Sequence, residues 1–432
     1  MYLTFVGWPY GVVLCFLFVL GSVIGSFLNV CIYRIPNHER FWDQLKGLVH
    51  PPSTCPKCQQ RLLLRDNVPI FGWLKLRGKC RFCSNPIAAR YPLIEFLNGA
   101  LFVLVYWFEI PYGFGNGVAD TCLYAANGPQ IVAPIHGLAT WLHWRYAFHM
   151  VLVEAMLVAT FIDFDLKIIP DGCTLPAMVV GVLGGGALAQ VFLVPVWFQS
   201  PAIQNQILLS VPDAWQWSNA AHPAWITVHP YLHGLSVSVA GLLVGGGIVW
   251  AVRIVGHWVL KQEAMGFGDV VLMAMIGSFI GWQPVIVVFF IAPVCALAVV
   301  AAMFVFRRQT EIPYGPYLSL GTLLLLLFWK KLWPMGERVF DFGPPIVVLG
   351  FMMLVAMAVT LYAMQLIKRL LGIPLYPAVQ YEWVEDWTSA DQLFHYTGER
   401  IETDQGQWKR SGWDGANAGR GLSQGQRWRD GG

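Results

Sequence analysis

The sequence predicts an all-α fold: a polytopic bundle of membrane helices with about eight core spans, a ninth beyond them, and a small four-cysteine zinc ribbon on the cytoplasmic side. Three observations predict it. Hydrophobic residues make up 56% of the 432-residue chain and charged residues only 12%, whereas a soluble domain carries about one quarter charged residues. Apolar runs long enough to cross a bilayer recur along the chain. Two Cys-x-x-Cys pairs lie in its first polar segment.

Taken in order, no Lys or Arg precedes Arg34, so the N-terminus lacks the basic start of a cleavable signal peptide. The run from about Tyr10 to Tyr33 is the first of nine expected spans, near 10–33, 93–109, 146–165, 174–196, 232–252, 268–282, 284–306, 317–333 and 346–367. Positive charge clusters between alternate pairs: Arg34, Arg40, Lys46 and the basic 61–90 region, then Lys167, then Arg253 and Lys261, then Arg307 and Arg308, and finally Lys368 and Arg369. The long loops 110–144 and 197–230 hold no Lys or Arg. By the positive-inside rule the N-terminus is outside and the C-terminus inside; Lys330, Lys331 and Arg338 run against this pattern. Tryptophans 197, 215, 217 and 225 read as an interfacial belt. The expected divisions are 1–34 (first span), 35–92 (cytoplasmic metal segment), 93–333 (membrane core), 334–371 (extra span) and 372–432 (a polar cytoplasmic tail, disordered at its end).

Cys55-Pro-Lys-Cys58 and Cys80-Arg-Phe-Cys83 are separated by 21 residues. This is the ligand pattern of a tetrahedral four-thiolate zinc site, and a reducing cytoplasm favours metal over disulfides. Cys15, Cys31, Cys122, Cys173 and Cys295 lie mostly in or beside apolar runs and read as small core residues.

Two carboxylates stand out. Asp269 follows Gly266-Phe267-Gly268 at the head of an apolar run, and Asp163 sits in Ile162-Asp163-Phe164-Asp165 at the end of the third span. An ionisable group at membrane depth is expensive and functional by default. The expected topology brings both to the cytoplasmic face, the arrangement a protease needs if one carboxylate is to activate water and the other is to polarise a carbonyl. The glycines allow close approach of a helix or a substrate strand. Asp269 alone also reads as a helix N-cap, and the pair also reads as a proton or ion pathway. Asp165 points about 200° away from Asp163 on a helix, Asp171 reads as an N-cap for the fourth span, and Glu154 as a structural hydrogen-bonding group.

These motifs, taken together and in order, resemble the prepilin peptidases, the GxGD-type membrane aspartyl proteases. The resemblance covers most of residues 10–333 and rests on Gly25-Ser26-Phe27-Leu28-Asn29-Val30-Cys31-Ile32-Tyr33-Arg34, both cysteine pairs, Arg65 to Ile70, Arg90 to Glu95, Ile162 to Asp165, Gly266 to Asp269 and Ile312 to Tyr317. It implies a bacterial inner-membrane endopeptidase that cuts the basic leader from type IV prepilins or type II secretion pseudopilins after a glycine, on the cytoplasmic side. It further implies catalysis by Asp163 and Asp269 with support from Gly266 and Gly268, and zinc at Cys55, Cys58, Cys80 and Cys83. Many members also N-methylate the new N-terminus with S-adenosylmethionine, an activity associated with the cysteine-bearing segment. The partners are then prepilins and the lipid bilayer, with no nucleic acid. The lysine usual two residues after the second aspartate is Val271 here, the outside loops are longer than usual, no nucleotide fingerprint is present, and nothing carries over beyond about residue 340. A carboxylate-lined ion-coupled transporter and a non-catalytic pilin-assembly protein are the alternatives.

Overall fold

The computed structural model describes residues 8–38, 40–49, 54–55, 57–58, 60–110, 138–198, 203, 225–260, 265–305 and 313–371. The tail, Cys122, Trp215, Trp217 and most of the two long loops lie outside these residues. Thirteen helices carry the argument: α1 (Tyr10–Arg34), α2 (Phe41–Val49), α3 (Phe71–Lys75), α4 (Arg90–Glu109), α5 (Leu138–Leu166), α6 (Asp171–Ala187), α7 (Trp225–Val228), α8 (Pro230–Leu260), α9 (Phe267–Ile280), α10 (Trp282–Val305), α11 (Gly315–Leu327), α12 (Trp329–Phe340) and α13 (Ile346–Leu370). The described residues form no strand; isolated bridges join Thr54 with Arg61 and Lys79 with Pro86. The all-helical expectation holds.

Six of the nine expected spans are helices long and apolar enough to cross a membrane: α1, α4, α5, α8, α10 and α13. The other three are built differently. The fourth run (174–196) is helical only as far as Ala187, after which Ala189 turns to a positive φ of 57°. The irregular stretch that follows is buried at Ala189, Val191, Leu193 and Val194. Its backbone polar groups are taken up by side chains: Trp141 Nε1 donates to the Gln190 carbonyl at 2.6 Å, Trp282 Nε1 to the Val196 carbonyl at 2.8 Å, and the Val196 N–H donates to His233 Nε2 at 3.2 Å. Non-helical backbone survives in an apolar setting only when protein groups satisfy it in this way.

The sixth run is the 14-residue helix α9. The eighth (317–333) is cut at Phe328, where α11 and α12 meet at 104°. Beyond the bend, α12 buries Trp329, Trp333 and Phe340 on one face, with the two indoles stacked at 4.8 Å. Lys330, Lys331 and Arg338 therefore lie on an amphipathic helix set at a sharp bend to α11.

The chain separates into two compact units. One comprises Val13–Leu104 and Phe161–Cys173. Within it, α1 and α4 approach backbone to backbone: a Cβ at Gly21 would lie 2.7 Å from the Phe102 ring, and one at Gly25 would lie 2.9 Å from the Glu95 Cα. This spacing of small residues lets two apolar helices touch where lipid provides no hydrophobic drive. Asn98 Nδ2 closes the contact by donating to the Gly21 carbonyl at 2.8 Å.

The other unit holds Val105–Thr160 and Thr174–Leu375. Its core is α9, which packs chiefly against α8 and is buried from Leu272 to Ile280. The closest approach is again glycine on glycine, since a Cβ at Gly277 would overlap the Gly241 carbonyl oxygen. Gly277→Leu is expected to cost more than the ~1–3 kcal/mol of ordinary overpacking, because backbone cannot move aside as a side chain can. The protein should then fail to accumulate in membrane fractions, as read by immunoblot. At the opposite extreme α13 buries no residue and meets α8 through Gln365 Nε2, which donates to the Val259 carbonyl at 3.0 Å.

Candidate active site and metal centre

Asp269 lies in the first turn of α9. Gly266 is the N-cap, extended at φ −68° and ψ 151°, and contributes no side-chain cap of its own. The Asp269 carboxylate accepts the Gly266 N–H, the acid half of a capping box. The simple N-cap reading of Asp269 is therefore corrected: the residue stands three positions inside the helix, and capping occupies only part of its acceptor capacity. Its side chain is buried. The turn before it is held from α8, where Arg253 Nε donates to the Met265 carbonyl at 3.1 Å and the guanidinium lies 5.8 Å from the Phe267 ring centroid. Tyr314, at the start of α11, is within electrostatic reach of Asp269, a neighbour that sequence spacing could not reveal. Val271 is half-buried on α9.

Packing does not require glycine at 266. A Cβ there would meet Asp269 Oδ2 at an ordinary 3.7 Å, and φ is negative. The open space beside an exposed extended backbone is what a substrate strand would use.

Asp163 is buried in the last turn of α5. The helix ends just beyond it, the Lys167 N–H donating to the Asp163 carbonyl at 2.8 Å with Lys167 at φ 55°. Asp165 is engaged elsewhere. Arg90, the first residue of α4, pairs with it, Nη1 donating to Oδ1 at 2.9 Å and Nη2 lying 2.8 Å from Oδ2, with the same guanidinium 4.9 Å from the Phe161 ring centroid. Arg90 as the partner of Asp165 carries no signal in the sequence. Asp171 is the exposed first residue of α6 and not its cap. The orphan N–H of Gly172 is satisfied instead by Gln44 Oε1 from α2 at 2.7 Å, and no sequence signal pointed to Gln44.

A second polar cluster also escaped the sequence reading. Glu109, Arg145 and His149 are fully buried, with His149 Nδ1 and Glu109 Oε1 at 2.6 Å and the Arg145 guanidinium 4.3 Å above the Trp141 ring. Paired opposite charges are the form in which ionisable groups persist among apolar helices.

The four cysteines converge. Their Sγ atoms all lie within 4.8 Å of one another, with Cys55–Cys83 at 3.8 Å and Cys58–Cys80 at 4.0 Å. A tetrahedron of thiolates at a metal–sulfur distance of about 2.3 Å has edges of about 3.8 Å, so the donor set fits a tetrahedral metal. Each pair sits on a matching turn: the Cys55 N–H bonds the Gln60 carbonyl at 2.9 Å, and the Cys80 N–H bonds the Asn85 carbonyl at 2.8 Å. Arg81 anchors the second turn through a bidentate pair with Asp66, one bond of which is 2.7 Å. That hydrogen-bonded guanidinium holds the Asp66 carboxyl below its ordinary pKa range. Of the other cysteines, Cys31, Cys173 and Cys295 are buried as expected, while Cys15 is exposed on α1.

Fold and site together define a polytopic helical membrane protein with a buried carboxylate at the head of a core helix and a four-cysteine module. Residues 19–108 match the bacterial peptidase A24 N-terminal domain, and residues 220–301 match the type IV leader peptidase family. The chain is 32% identical over 312 residues to the type 4 prepilin-like proteins leader peptide-processing enzyme of Escherichia coli, covering 70% of this chain and 88% of that protein. It is 30% identical to the prepilin leader peptidase/N-methyltransferase of Klebsiella pneumoniae, with 62% of this chain and 85% of the relative aligned. The corresponding enzyme of Aeromonas hydrophila is 29% identical over 72% and 89%. This chain belongs to the type IV prepilin leader peptidase family. No solved structure matches it significantly. The first matched region contains all four cysteines, the second contains Asp269, and Asp163 lies between them.

Proposed function

We propose that this protein is a membrane aspartic endopeptidase that removes the basic leader from type IV prepilins or type II secretion pseudopilins and then methylates the new N-terminus. The correspondence with the leader peptide-processing enzyme of E. coli across 88% of its length carries the reading. Asp163 and Asp269 are the catalytic carboxylates. One, ionised, takes a proton from the attacking water as its oxygen bonds the scissile carbonyl carbon; the other, protonated, donates to the carbonyl oxygen. Collapse of the tetrahedral adduct breaks the C–N bond, and a proton returns to the leaving amine. Gly266 and Gly268 leave room for the substrate backbone, zinc is the metal at the four cysteines, and S-adenosylmethionine supplies an activated methyl group when bound. Cleavage takes place at the cytoplasmic face of the inner membrane, with the N-terminus of the chain outside and the C-terminus inside, because a leader rich in Lys and Arg stays inside while its apolar helix enters the bilayer.

The deciding experiment co-expresses the chain with a prepilin and reads leader removal by gel shift and N-terminal methylation by mass spectrometry. An uncleaved prepilin together with ion-coupled flux in proteoliposomes would establish the transporter reading instead; an uncleaved prepilin that co-purifies with the chain would establish the assembly protein.

Two smaller effects follow. Gly266→Ala should accumulate normally, since its Cβ has space, yet slow cleavage of a peptide substrate by about 10-fold or more through crowding of the substrate strand. Arg90→Gln removes the ion pair with Asp165 on the turn that carries Asp163. It should reduce kcat more than it raises KM, with Arg90→Lys restoring the rate only partly because an ammonium cannot keep the planar guanidinium's place over the Phe161 ring while it pairs with Asp165.

A further inference from the structure

Helix α12 carries a pattern that neither peptide cleavage nor methyl transfer uses. Around its axis the 12 residues fall into three stripes. Trp329, Trp333 and Phe340 are buried. Phe340 stands edge-on to Trp282 of α10 with ring centroids 5.5 Å apart, and a Cβ at Gly336 would lie 2.6 Å from the Val287 side chain. This first stripe seats the helix on α10. Lys330, Lys331, Pro334 and Arg338 make a second stripe, exposed throughout. Met335 and Val339, 69% and 41% exposed, make a third with the half-buried Leu332, between the basic stripe and the protein. Exposed Phe328, just before the helix, continues this apolar edge. On the other border one carboxylate, Glu337, is half-buried, and Asp341 follows as the C-cap.

A helix that packs on protein and otherwise faces water needs one apolar stripe. A second, exposed apolar stripe beside a basic one is the pattern of a helix in the membrane interface, with its apolar side chains at the acyl boundary and its cations among headgroups. The bend at Phe328 agrees in direction. The α11 helix is apolar and meets α12 at 104°, so where α11 runs across the bilayer, α12 runs close to its plane.

We infer that α12 is an interfacial helix whose basic stripe, Lys330, Lys331 and Arg338, holds the phosphates of anionic phospholipids while Met335 and Val339 lie among their acyl chains. The charges select the headgroup. A zwitterionic lipid brings an ammonium that three cations repel, whereas an anionic headgroup brings net negative charge alone. The apolar stripe selects a lipid over a soluble acidic protein, because the occupant must present a charged head and an apolar tail side by side. The assignment is independent of the peptidase reading.

The test uses the full-length, zinc-loaded protein in nanodiscs of equal phosphatidylglycerol and phosphatidylcholine, with the photo-cross-linking residue p-benzoylphenylalanine at position 335. Mass spectrometry identifies what the probe captures, so basic residues elsewhere on the chain do not contribute. Phosphatidylglycerol should be captured in preference to phosphatidylcholine. Lys330→Gln, Lys331→Gln and Arg338→Gln combined should lower that preference by about 5-fold or more, roughly the effect of one basic residue near an anionic surface. Unchanged zinc content and thermal unfolding show that the combined variant is folded, as expected for three exposed positions. Equal capture of the two lipids, or a preference that survives the combined variant, would overturn the headgroup assignment. Capture of no lipid would overturn the interfacial placement of α12. Cross-linking to a second copy of the chain would assign the surface to self-association instead.

Discussion

Asp269→Asn is expected to give a protein that accumulates at wild-type levels and cleaves prepilin at least about 10³-fold more slowly, within the range that positioned proton transfer contributes. Asparagine matches aspartate in size and keeps an oxygen to accept the Gly266 N–H, so the start of α9 survives. What it lacks is the ability to ionise or to hold a transferable proton. Asp163→Asn should do the same, and the double variant should be scarcely worse than either, because groups that act as a unit are not additive. Asp165→Asn separates this from a general need for charge: it breaks the Arg90 pair and should slow cleavage only partly. Initial rates with a purified prepilin check all four. Normal processing by either Asp163→Asn or Asp269→Asn would remove that residue from the catalytic pair.

Metal removal is the second large effect. Purified protein should carry about one zinc per chain, and Cys80→Ser should lose it. Apparent zinc binding free energies of about 10–16 kcal/mol in small four-ligand modules far exceed what two isolated backbone bridges could supply to residues 54–88. The module should therefore lose its order. The helix packing of α8 with α9 uses no residue of this module, so membrane accumulation should continue. Acidification should release the metal as the thiolates protonate. Elemental analysis and chelator titration read both effects, and a chain that retains its order and holds no metal would refute the assignment.

The residues differ in how plainly they announced themselves. The cysteine module was legible because metal geometry imposes a spacing that few other constraints produce. Asp269 was legible as an oddity, a charge heading an apolar run, but its position inside α9 and not at the cap depended on where Gly266 placed the helix start. The bend at Phe328 was missed because residues 317–333 are apolar enough to pass as a span. The periodicity of Trp329, Trp333 and Phe340 shows its amphipathic face only once the helix boundary is known. Arg90, Gln44 and the Glu109–His149 pair were invisible, since each acts on a residue 40 or more positions away.

Composition, run length and cysteine spacing alone determined the helical membrane class and the cluster of four cysteines able to hold a metal, because each follows from a local rule about solvent, bilayer thickness or coordination. Tertiary structure decided which apolar runs are straight spans, which backbone groups need side-chain partners, and that α9 is buried through glycine contact with α8. These depend on which distant segments touch, and a contact between distant segments leaves no period or spacing in the chain.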